Sequence, residues 1–345
     1  MAFRFRTPLI TMRVKRIALA LLLALSGVPS PPGASAAAAP EKEEAATAAM
    51  LEALRAQDLR VATVAFRLVT AGLPLCGGRG PQAGIVLHDA AQYGADLRAA
   101  AIRHFGFGEG PSISAVVPGG PAAAAGLLAD DALIAIDGVK LGRADGPGRR
   151  ATYDGVAQAE AALDAALGRG NIMLTLRRGE RVFDADLKPV SACRSDVQLI
   201  PSARMNAAAD GRYVQVTSAI VDYVASDDEL AVVIGHELAH NILGHRAKLD
   251  AAGVGTGLFS KFGKNAARIR VTEIEADRLG LQLMARAGYD LAAAPAFWRR
   301  FGKEHGPGIF ADATHPGWRK REALLADAIG EMEGSKKGPV PEDQP

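Results

Sequence analysis

The chain has 345 residues, which is long for one ordinary domain and suits two modest domains with shorter appendages. Hydrophobic residues make up 49% of it, so general disorder is excluded. Aromatic residues make up only 5%, which argues against a protein that binds nucleic acid by stacking on bases. The 40 Lys and Arg against 38 Asp and Glu give a formal net charge of +2, whose meaning depends on where the charges lie.

The first 36 residues have the order of an export signal. An apolar run, residues 17–28, is followed by Ala34-Ser35-Ala36 and preceded by five basic residues, Arg4, Arg6, Arg13, Lys15 and Arg16. A basic segment, an apolar segment too short to span a bilayer and an A-x-A site are typical of a secretory signal peptide, so we expect cleavage after Ala36 and a periplasmic protein. The alternative is an uncleaved signal that anchors the chain in the inner membrane. Without these five residues, 35 basic residues face 38 acidic ones, so the positive excess belongs to the signal.

Cys76 and Cys193 are the only cysteines. Export places them in an oxidising compartment, where a lone pair of cysteines favours a disulfide. In the chain-entropy model, a bond that closes so long a loop stabilises the fold by roughly 4–5 kcal/mol. The alternative is two separate thiols.

Composition divides the rest of the chain and predicts an α+β protein. Apolar residues at helical spacing alternate with a block of short strands that Gly and Pro separate, and a helical region follows. The predicted segments are an N-terminal helical segment (37–104), a β-rich block (105–190), a mainly helical domain (191–332) and a disordered polar tail (333–345).

Residues 105–190 resemble a bacterial PDZ domain. The matching text is Phe105-Gly106-Phe107, Val116-Val117-Pro118-Gly119-Gly120-Pro121-Ala122, Ala125-Gly126-Leu127 and Asp131-Ala132-Leu133-Ile134-Ala135-Ile136-Asp137-Gly138. The resemblance implies a sheet edge to which an extended peptide adds as a strand, with its carboxylate held by backbone N–H groups of Phe105, Gly106 and Phe107. The block would then capture substrates or partners. The alternative is a domain that only packs on the rest of the chain.

Residues 236–240 form an H-E-x-x-H motif. Ser226 heads a predicted capping box, and the residues that follow are apolar at helical spacing, so the motif is predicted on a buried helix. Four residues place His236 and His240 one turn apart on one side of the helix, where both reach one Zn²⁺. Glu237 lies about 100° round the helix, near enough to act as general base on a water at the metal.

A catalytic zinc site needs a third protein ligand. His245 stands one position before the place that the third histidine of a metzincin takes, so we interpret it as structural or exposed near the helix end. Glu273 and Asp277 share a predicted helix face, whereas Glu275 projects about 200° away from Glu273. We therefore predict Glu273 as the ligand and Asp277 as the acceptor for the N–H of a ligating histidine. The alternative for these acidic residues is a solvated helix face.

From about residue 205 to 325 the chain resembles the Glu-zincin metallopeptidases typified by the CAAX prenyl endopeptidases, the heat-shock protease HtpX and periplasmic β-barrel-assembly-associated proteases. The matching text is Asn206-Ala207, Tyr213-Val214-Gln215-Val216, Asp228-Glu229-Leu230-Ala231, residues 236–240, Glu273 with Ala276-Asp277-Arg278 and Gly280, and Thr314-His315-Pro316 followed by Arg321. The resemblance implies a mainly helical zincin-type domain with a small edge sheet, zinc bound by His236, His240 and Glu273, and Glu237 as catalytic base.

The resemblance also implies that Tyr213, Val214, Gln215 and Val216 belong to the edge strand along which substrate lies. Asn206 matches a residue near that strand, with a turn residue that bonds its own backbone as the alternative. His315 matches a histidine near the active site, where it would donate to the oxyanion, and a structural role stays equally open. A Gly-rich stretch, residues 251–262, is a lid, a peripheral membrane contact or a plain flexible connection, of which we favour the last.

The sequence therefore predicts an exported endopeptidase with one Zn²⁺ per chain that cleaves unfolded or envelope polypeptides in protein quality control, with no nucleic-acid partner. The alternative is a PDZ-centred binding or chaperone-like envelope factor whose metal site is not catalytic. An intact Glu237 argues for the enzyme, since a structural metal site has no use for a base.

Overall fold

The computed structural model describes residues 38–108, 110–141, 150–254, 263–306 and 317–336. Four parts of the chain discussed above lie outside these ranges: the predicted signal peptide (residues 1–36), the stretch 255–262, His315, and the tail from residue 337. Among the described residues, no helix combines the length and apolar character needed to cross a membrane.

The first helix, α1 (Ala38–Ala71), contributes to two cores. Its first half packs Leu51 against Ala101 and Phe105, and its second half buries Val64 and Leu68 among the helices of the C-terminal half. The elements that follow are β1 (Arg79–Gln82), β2 (Ile85–His88) and α2 (Ala95–Phe105). The N-terminal segment predicted as helical over 37–104 therefore contains two helices but also two strands that the prediction missed, because strands of four residues are too short to show a reliable alternation.

The middle of the chain contains β3 (Ser112–Val116), α3 (Pro121–Ala124), β4 (Ala132–Ile136), β5 (Val139–Lys140), α4 (Asp154–Leu167), β6 (Ile172–Arg178) and β7 (Arg181–Leu187). Its strands form an antiparallel sheet with strand order β2-β3-β4-β6-β7, and β5 pairs with β4 beside this path. The sheet starts at Ile85, so its first strand precedes the boundary predicted at residue 105. Buried side chains of the sheet and of α4, including Leu163 and Leu174, form its core.

The C-terminal half is mainly helical and carries a small sheet. The strands are β8 (Val190–Cys193), β9 (Asp196–Ile200), β10 (Ala207–Ala209) and β11 (Tyr213–Thr217). The helices are α5 (Ser218–Tyr223), α6 (Asp227–Ile242), α7 (His245–Ala251), α8 (Gly263–Ala287), α9 (Ala293–His305) and α10 (Trp318–Lys336). Strand β8 pairs with β1, and β11 lies between β10, to which it is antiparallel, and β9, to which it is parallel. Because α10 runs to Lys336, residues 333–336 of the predicted tail are helical.

Cys76 and Cys193 form a disulfide, as predicted, with a Cα–Cα distance of 5.5 Å. Cys193 is buried in the core of the C-terminal half, and Cys76 follows the end of α1. The bond therefore joins α1 to β8, on the two sides of the β-rich block.

Candidate metal centre

The helix α6 begins with the cap that the sequence predicts. The Ser226 hydroxyl accepts a hydrogen bond from the Glu229 N–H at 3.3 Å, and the first turn is acidic, which suits the positive end of the helix dipole. The Glu229 carboxylate completes the cap one residue further back than in a capping box, because it accepts from the N–H of Ala225 at 2.7 Å and also pairs with Arg300. Leu230, Ile234 and Leu238 are fully buried and hold α6 in the core.

His236, His240 and Glu273 come together where α6 faces α8. The Nε2 atoms of the two histidines are 3.1 Å apart, and the Glu273 carboxylate oxygens lie 3.3 Å from Nε2 of His236 and 3.5 Å from Nε2 of His240. Within the described part of the chain, this is the group of His, Cys, Asp and Glu residues whose ligand atoms lie close enough to hold one ion, all within 4.8 Å of one another. The three residues could therefore hold a metal ion, and they are the three that the sequence singles out.

The close approach of the two helices depends on glycine. Gly280 lies on the same face of α8 as Glu273 and Asp277, and a Cβ atom there would be 3.2 Å from the backbone nitrogen of His236. Real Cβ contacts are seldom so short, so a larger residue would push α8 away from α6. The missing side chain lets Glu273 reach the histidines.

Asp277 and Arg321 hold the ring of His236 from the other side. Nδ1 of His236 is 2.9 Å from Asp277 Oδ1, and Arg321 Nε donates to Asp277 Oδ2 at 2.8 Å. Arg321 is only 2% exposed, and its guanidinium lies 3.6 Å from the centre of the Trp298 ring. Asp277 thus takes the place that the sequence predicts, whereas the sequence gives Arg321 no role beyond a family match. A buried carboxylate in this position needs a cation beside it, and Arg321 supplies one.

The surroundings shift the pKa of His236 and the pKa of His240 in opposite directions. Burial and the Arg321 charge lower the pKa of His236, but the carboxylates of Asp277 and Glu273 outweigh them and raise it to about 9. Burial and the nearby charge of His236 lower the pKa of His240 to about 3. In the metal-free protein one ring is therefore protonated and the other is neutral at pH 7, and a metal ion must displace the first proton.

His245 is buried beside the ring of His240. It is 1% exposed, its Nδ1 lies 2.9 Å from Nδ1 of His240, and its Nε2 lies 3.1 Å from Glu275 Oε2. Of the two interpretations, structural or exposed, burial agrees with the structural one, and the exposed one is wrong. Gly244, with φ of 64°, ends α6 in the left-handed region and turns the chain, so α7 starts with His245 back against His240. A glycine directly before the histidine at the helix end is the signal that sequence reasoning missed.

Glu237 lies between the two histidines on α6 and is half-buried. It follows His236 by one residue, so its side chain leaves the helix on a different side from the two rings. His315, the second residue considered for catalysis, is outside the described ranges.

Comparisons with known proteins agree with this geometry. A model of Peptidase family M48 matches residues 180–269, and a model of the PDZ domain matches residues 112–178. The chain carries a peptidase domain of family M48 and a PDZ domain. The M48 match includes His236 and His240 and ends before Glu273; the C-terminal half from β8 to α10, which contains most of the match, is called the M48 domain below.

Two curated relatives of the chain are metalloendopeptidases. The mitochondrial metalloendopeptidase OMA1 of Arabidopsis thaliana is 33% identical over 137 residues, which cover 33% of this chain and 27% of that protein. OMA1 of Schizosaccharomyces pombe is 30% identical over 144 residues, which cover 36% of this chain and 43% of that protein. The chain thus spans less than half of either relative. A solved structure titled "HtrA-type protease AlgW with decapeptide" is 20% identical and covers 32% of this chain and 29% of that one, with a TM-score of 0.22, too low to establish a shared fold.

In the M48 domain, the strand predicted as a substrate edge is in the middle of its sheet. Tyr213–Thr217 is paired on both sides, with β10 and with β9, so its backbone has no free side for another strand. Val214 and Val216 are fully buried. The prediction that Tyr213, Val214, Gln215 and Val216 form the edge is therefore wrong, and the edges are β10 and β9. Asn206 precedes the β10 edge, and its backbone N–H and C=O bond Thr217.

Just before the PDZ match, the predicted carboxylate loop is part of a small core. Phe105 ends α2 and is 4% exposed, and the N–H of Gly106 already bonds the carbonyl of Ile102. Phe107 packs its ring against His88 at 4.6 Å between centroids. Phe105, Gly106 and Phe107 therefore do not form an open loop beside a sheet edge. The edges of this sheet are β2 and β7.

Side chains of α4 in the PDZ domain bond directly to the M48 domain. Arg212, in the turn between β10 and β11, donates to Asp164 of α4 at 2.7 Å and to Asp196 of β9 at 2.9 Å. The Tyr153 hydroxyl accepts from Gln198 of β9 at 3.1 Å and donates to Glu160. Because the hydrogen bonds cross from one domain to the other, α4 is seated against the small sheet beside the metal centre.

Proposed function

We propose that the protein is an exported zinc endopeptidase. The observation that carries the proposal is the convergence of His236, His240 and Glu273, with Glu237 in the same turn of α6. Two imidazoles and one carboxylate are a donor set that Zn²⁺ takes in catalytic sites, where it keeps one position open. The similarity to two metalloendopeptidases supports the same chemistry.

The residues of the site would divide the work of hydrolysis. When bound, Zn²⁺ would polarise the scissile carbonyl and make a water molecule more acidic. Glu237 would take the proton of the attacking water and later pass a proton to the leaving amine, so that the peptide bond breaks to a carboxylic acid and an amine. Asp277 would hold the ring of His236 by its Nδ1–H, which keeps Nε2 turned toward Glu273.

We place the substrate chain along β10. This strand is an edge of the small sheet, and α6 packs beside it. Asn206 and Asp210 bond β11, so the backbone groups of Ala207 and Ala209 between them face away from it. An extended polypeptide would pair there as an added strand.

Export and substrate capture complete the proposal. The N-terminal pattern of basic, apolar and small residues supports export to the periplasm, and a Cys76–Cys193 disulfide suits an oxidising compartment. A PDZ domain with edge strands supports capture of an extended peptide, so unfolded or envelope proteins are the proposed substrates in protein quality control.

The variant Glu237→Gln tests the enzyme. The amide keeps the shape of the side chain and cannot accept a proton, so cleavage of casein should fall by about 10²–10⁴-fold while bound zinc stays at one ion per chain. Glu180→Gln, in the exposed turn between β6 and β7, is the matched control and should cleave at the wild-type rate. Undiminished cleavage by the Glu237→Gln protein would refute the mechanism. A wild-type protein that binds zinc and peptides without cleaving them would favour a PDZ-centred binding factor.

A further inference from the structure

The two histidines of the metal centre have different outer partners. His236 faces a carboxylate, Asp277, which Arg321 neutralises. His240 faces another imidazole, that of His245, which in turn faces Glu275 of α8. His245 is almost wholly buried, whereas half of the Glu275 side chain is exposed. The second arrangement belongs to no part of the mechanism described so far.

The distances permit only one placement of protons once His240 binds a metal. Its Nε2 faces Glu273 and His236, so a metal ion there takes the Nε2 lone pair and leaves the proton on Nδ1. That proton points at Nδ1 of His245, 2.9 Å away, which must therefore accept it. His245 then carries its own proton on Nε2, where Glu275 accepts it at 3.1 Å. The chain of donors runs in one direction, from the metal ligand to the surface carboxylate.

We infer that His245 and Glu275 are positioning residues for His240: they hold its ring with Nε2 toward the zinc ion by a relay of two hydrogen bonds. The inference rests on the proposed function, because it needs a metal ion at Nε2 of His240. A hydrogen bond to the second nitrogen of a ligating histidine fixes its tautomer and ring orientation, and loss of such a partner usually weakens metal binding by 10- to 100-fold.

The fold commits three elements to this relay. The left-handed Gly244 ends α6 and brings the first residue of α7 back against His240. Glu275 lies two residues after Glu273 on α8, so one helix supplies both the third ligand and the end of the relay. A neutral imidazole beside His240 also orients it without a further negative charge close to Glu273 and Glu237. Both ring nitrogens of His245 have a hydrogen-bond partner, whereas a residue that only packs against His240 would need neither nitrogen.

Three variants of the full-length protein separate positioning from packing. His245→Leu introduces an apolar side chain of similar bulk and so removes the hydrogen-bond acceptor. His245→Asn restores an acceptor oxygen near the place of Nδ1 and loses the contact with Glu275. Arg246→Ala changes the next residue, which is half-exposed and pairs only with Asp250 in the described chain, and serves as control. Zinc affinity is measured by competition with a chelator, after melting curves have shown that each variant is folded.

We expect His245→Leu to bind zinc about 10- to 100-fold more weakly than the wild type, His245→Asn to recover most of this loss, and Arg246→Ala to be unchanged. In nitrogen NMR spectra of the zinc-loaded wild type, His240 should carry its proton on Nδ1 and His245 on Nε2. If His245→Leu does not fold, Glu275→Ala takes its place, with an expected loss of a few-fold.

Two results would overturn the relay. One is equal zinc affinity of wild type and of folded His245→Leu, and the other is a proton on Nδ1 of His245 in the zinc-loaded protein. Failure of the wild type itself to bind zinc would overturn the proposed function, and the relay with it. The two failures are distinguishable because the first leaves wild-type zinc binding and proteolysis intact.

Discussion

Two buried aspartates of this chain each face one arginine, one in each domain. In the M48 domain, Asp277 pairs with Arg321, whose side chain is 2% exposed, and its second neighbour is the metal-centre residue His236. In the PDZ domain, Asp131 pairs with Arg178, whose side chain is 42% exposed, and its second neighbour is the backbone N–H of Leu128. The aspartate–arginine pair thus contacts a histidine of the metal centre in one domain and the backbone of a turn in the other.

The difference in arginine burial separates a costly pair from an inexpensive one. Removing an arginine from water costs several kcal/mol, which one ion pair does not always repay, so a buried pair is weak evidence for stability. Arg178 keeps part of its hydration and closes the loop that begins at Gly126, whose carbonyl it also bonds. Arg321 loses its hydration and gains a place against His236 and Trp298. We infer that the M48 pair is retained for the site and the PDZ pair for local structure.

The largest expected effect is that of Arg321→Met. The substitution removes the arginine from a buried ion pair and leaves only His236 facing Asp277 in the described chain, so the free energy of unfolding of the M48 domain should fall by about 3–5 kcal/mol. Both tryptophans of the chain, Trp298 and Trp318, lie in the M48 half, so urea unfolding followed by tryptophan fluorescence reports on this domain. The neighbouring exposed Lys320→Met is the control and should leave the midpoint unchanged. A loss below 1 kcal/mol would contradict the cost assigned to this buried pair.

Zinc binding should depend on pH through His236. Its pKa is raised from 6.5 to about 9 in the metal-free protein, so its proton stabilises that form below pH 6.5 and is lost as the pH rises through 9. Zinc must displace this proton, so affinity should rise by up to about tenfold per pH unit between pH 6.5 and 9. Chelator competition at several pH values measures the slope. In Asp277→Asn, which removes a cause of the raised pKa, the rise should shift to lower pH; an unchanged profile would exclude His236 as the group responsible.

Removing the disulfide tests whether a bond at the boundary of the β-rich block stabilises the M48 domain. Replacing Cys76 and Cys193 by alanine should lower the free energy of unfolding by about 2–4 kcal/mol, which is less than the full chain-entropy value because the unfolded chain retains some structure. The tryptophan-detected urea midpoint should fall, and the reduced wild type should match the double variant. If the midpoint stays constant, the bond does not stabilise the M48 domain. The stabilities of the two domains are then independent, and the effect of each aspartate–arginine pair must be measured in its own domain.

Local helix geometry made much of the metal centre predictable. The spacing of His236 and His240, and of Glu273 and Asp277, follows from 3.6 residues per turn, and each pair of residues lies on one helix. The position of β11 was not predictable in this way, because the order of strands in a sheet depends on pairings between distant segments. Tyr213–Thr217 therefore looked like an edge and is the central strand.

His245 and Phe105 show where a regular pattern misleads. A continued α6 would have carried His245 away from His240, but Gly244 leaves the helical region and returns it to the site. Phe105-Gly106-Phe107 matched a loop in letters, yet Gly106 ends α2, and Phe105 packs into the core beneath it. In both cases one glycine with positive φ sets the direction of the chain. The sequence does not predict this, because glycine adopts positive and negative φ about equally readily.

The smallest expected effect is that of Arg178→Met in the PDZ domain. Asp131 keeps its bond from the Leu128 N–H, and water reaches the half-exposed position of the arginine, so the loss should be about 1–2 kcal/mol. Amide hydrogen exchange in β6 and β7 measures it, because the domain match contains no tryptophan. Zinc affinity should stay at the wild-type value. The double variant with Asp131→Asn should cost less than the sum of the two single changes, since each removes the same interaction. If Arg178→Met weakens zinc binding, the PDZ pair is coupled to the metal centre through α4 and the small sheet, and the division between a site pair and a structural pair is wrong.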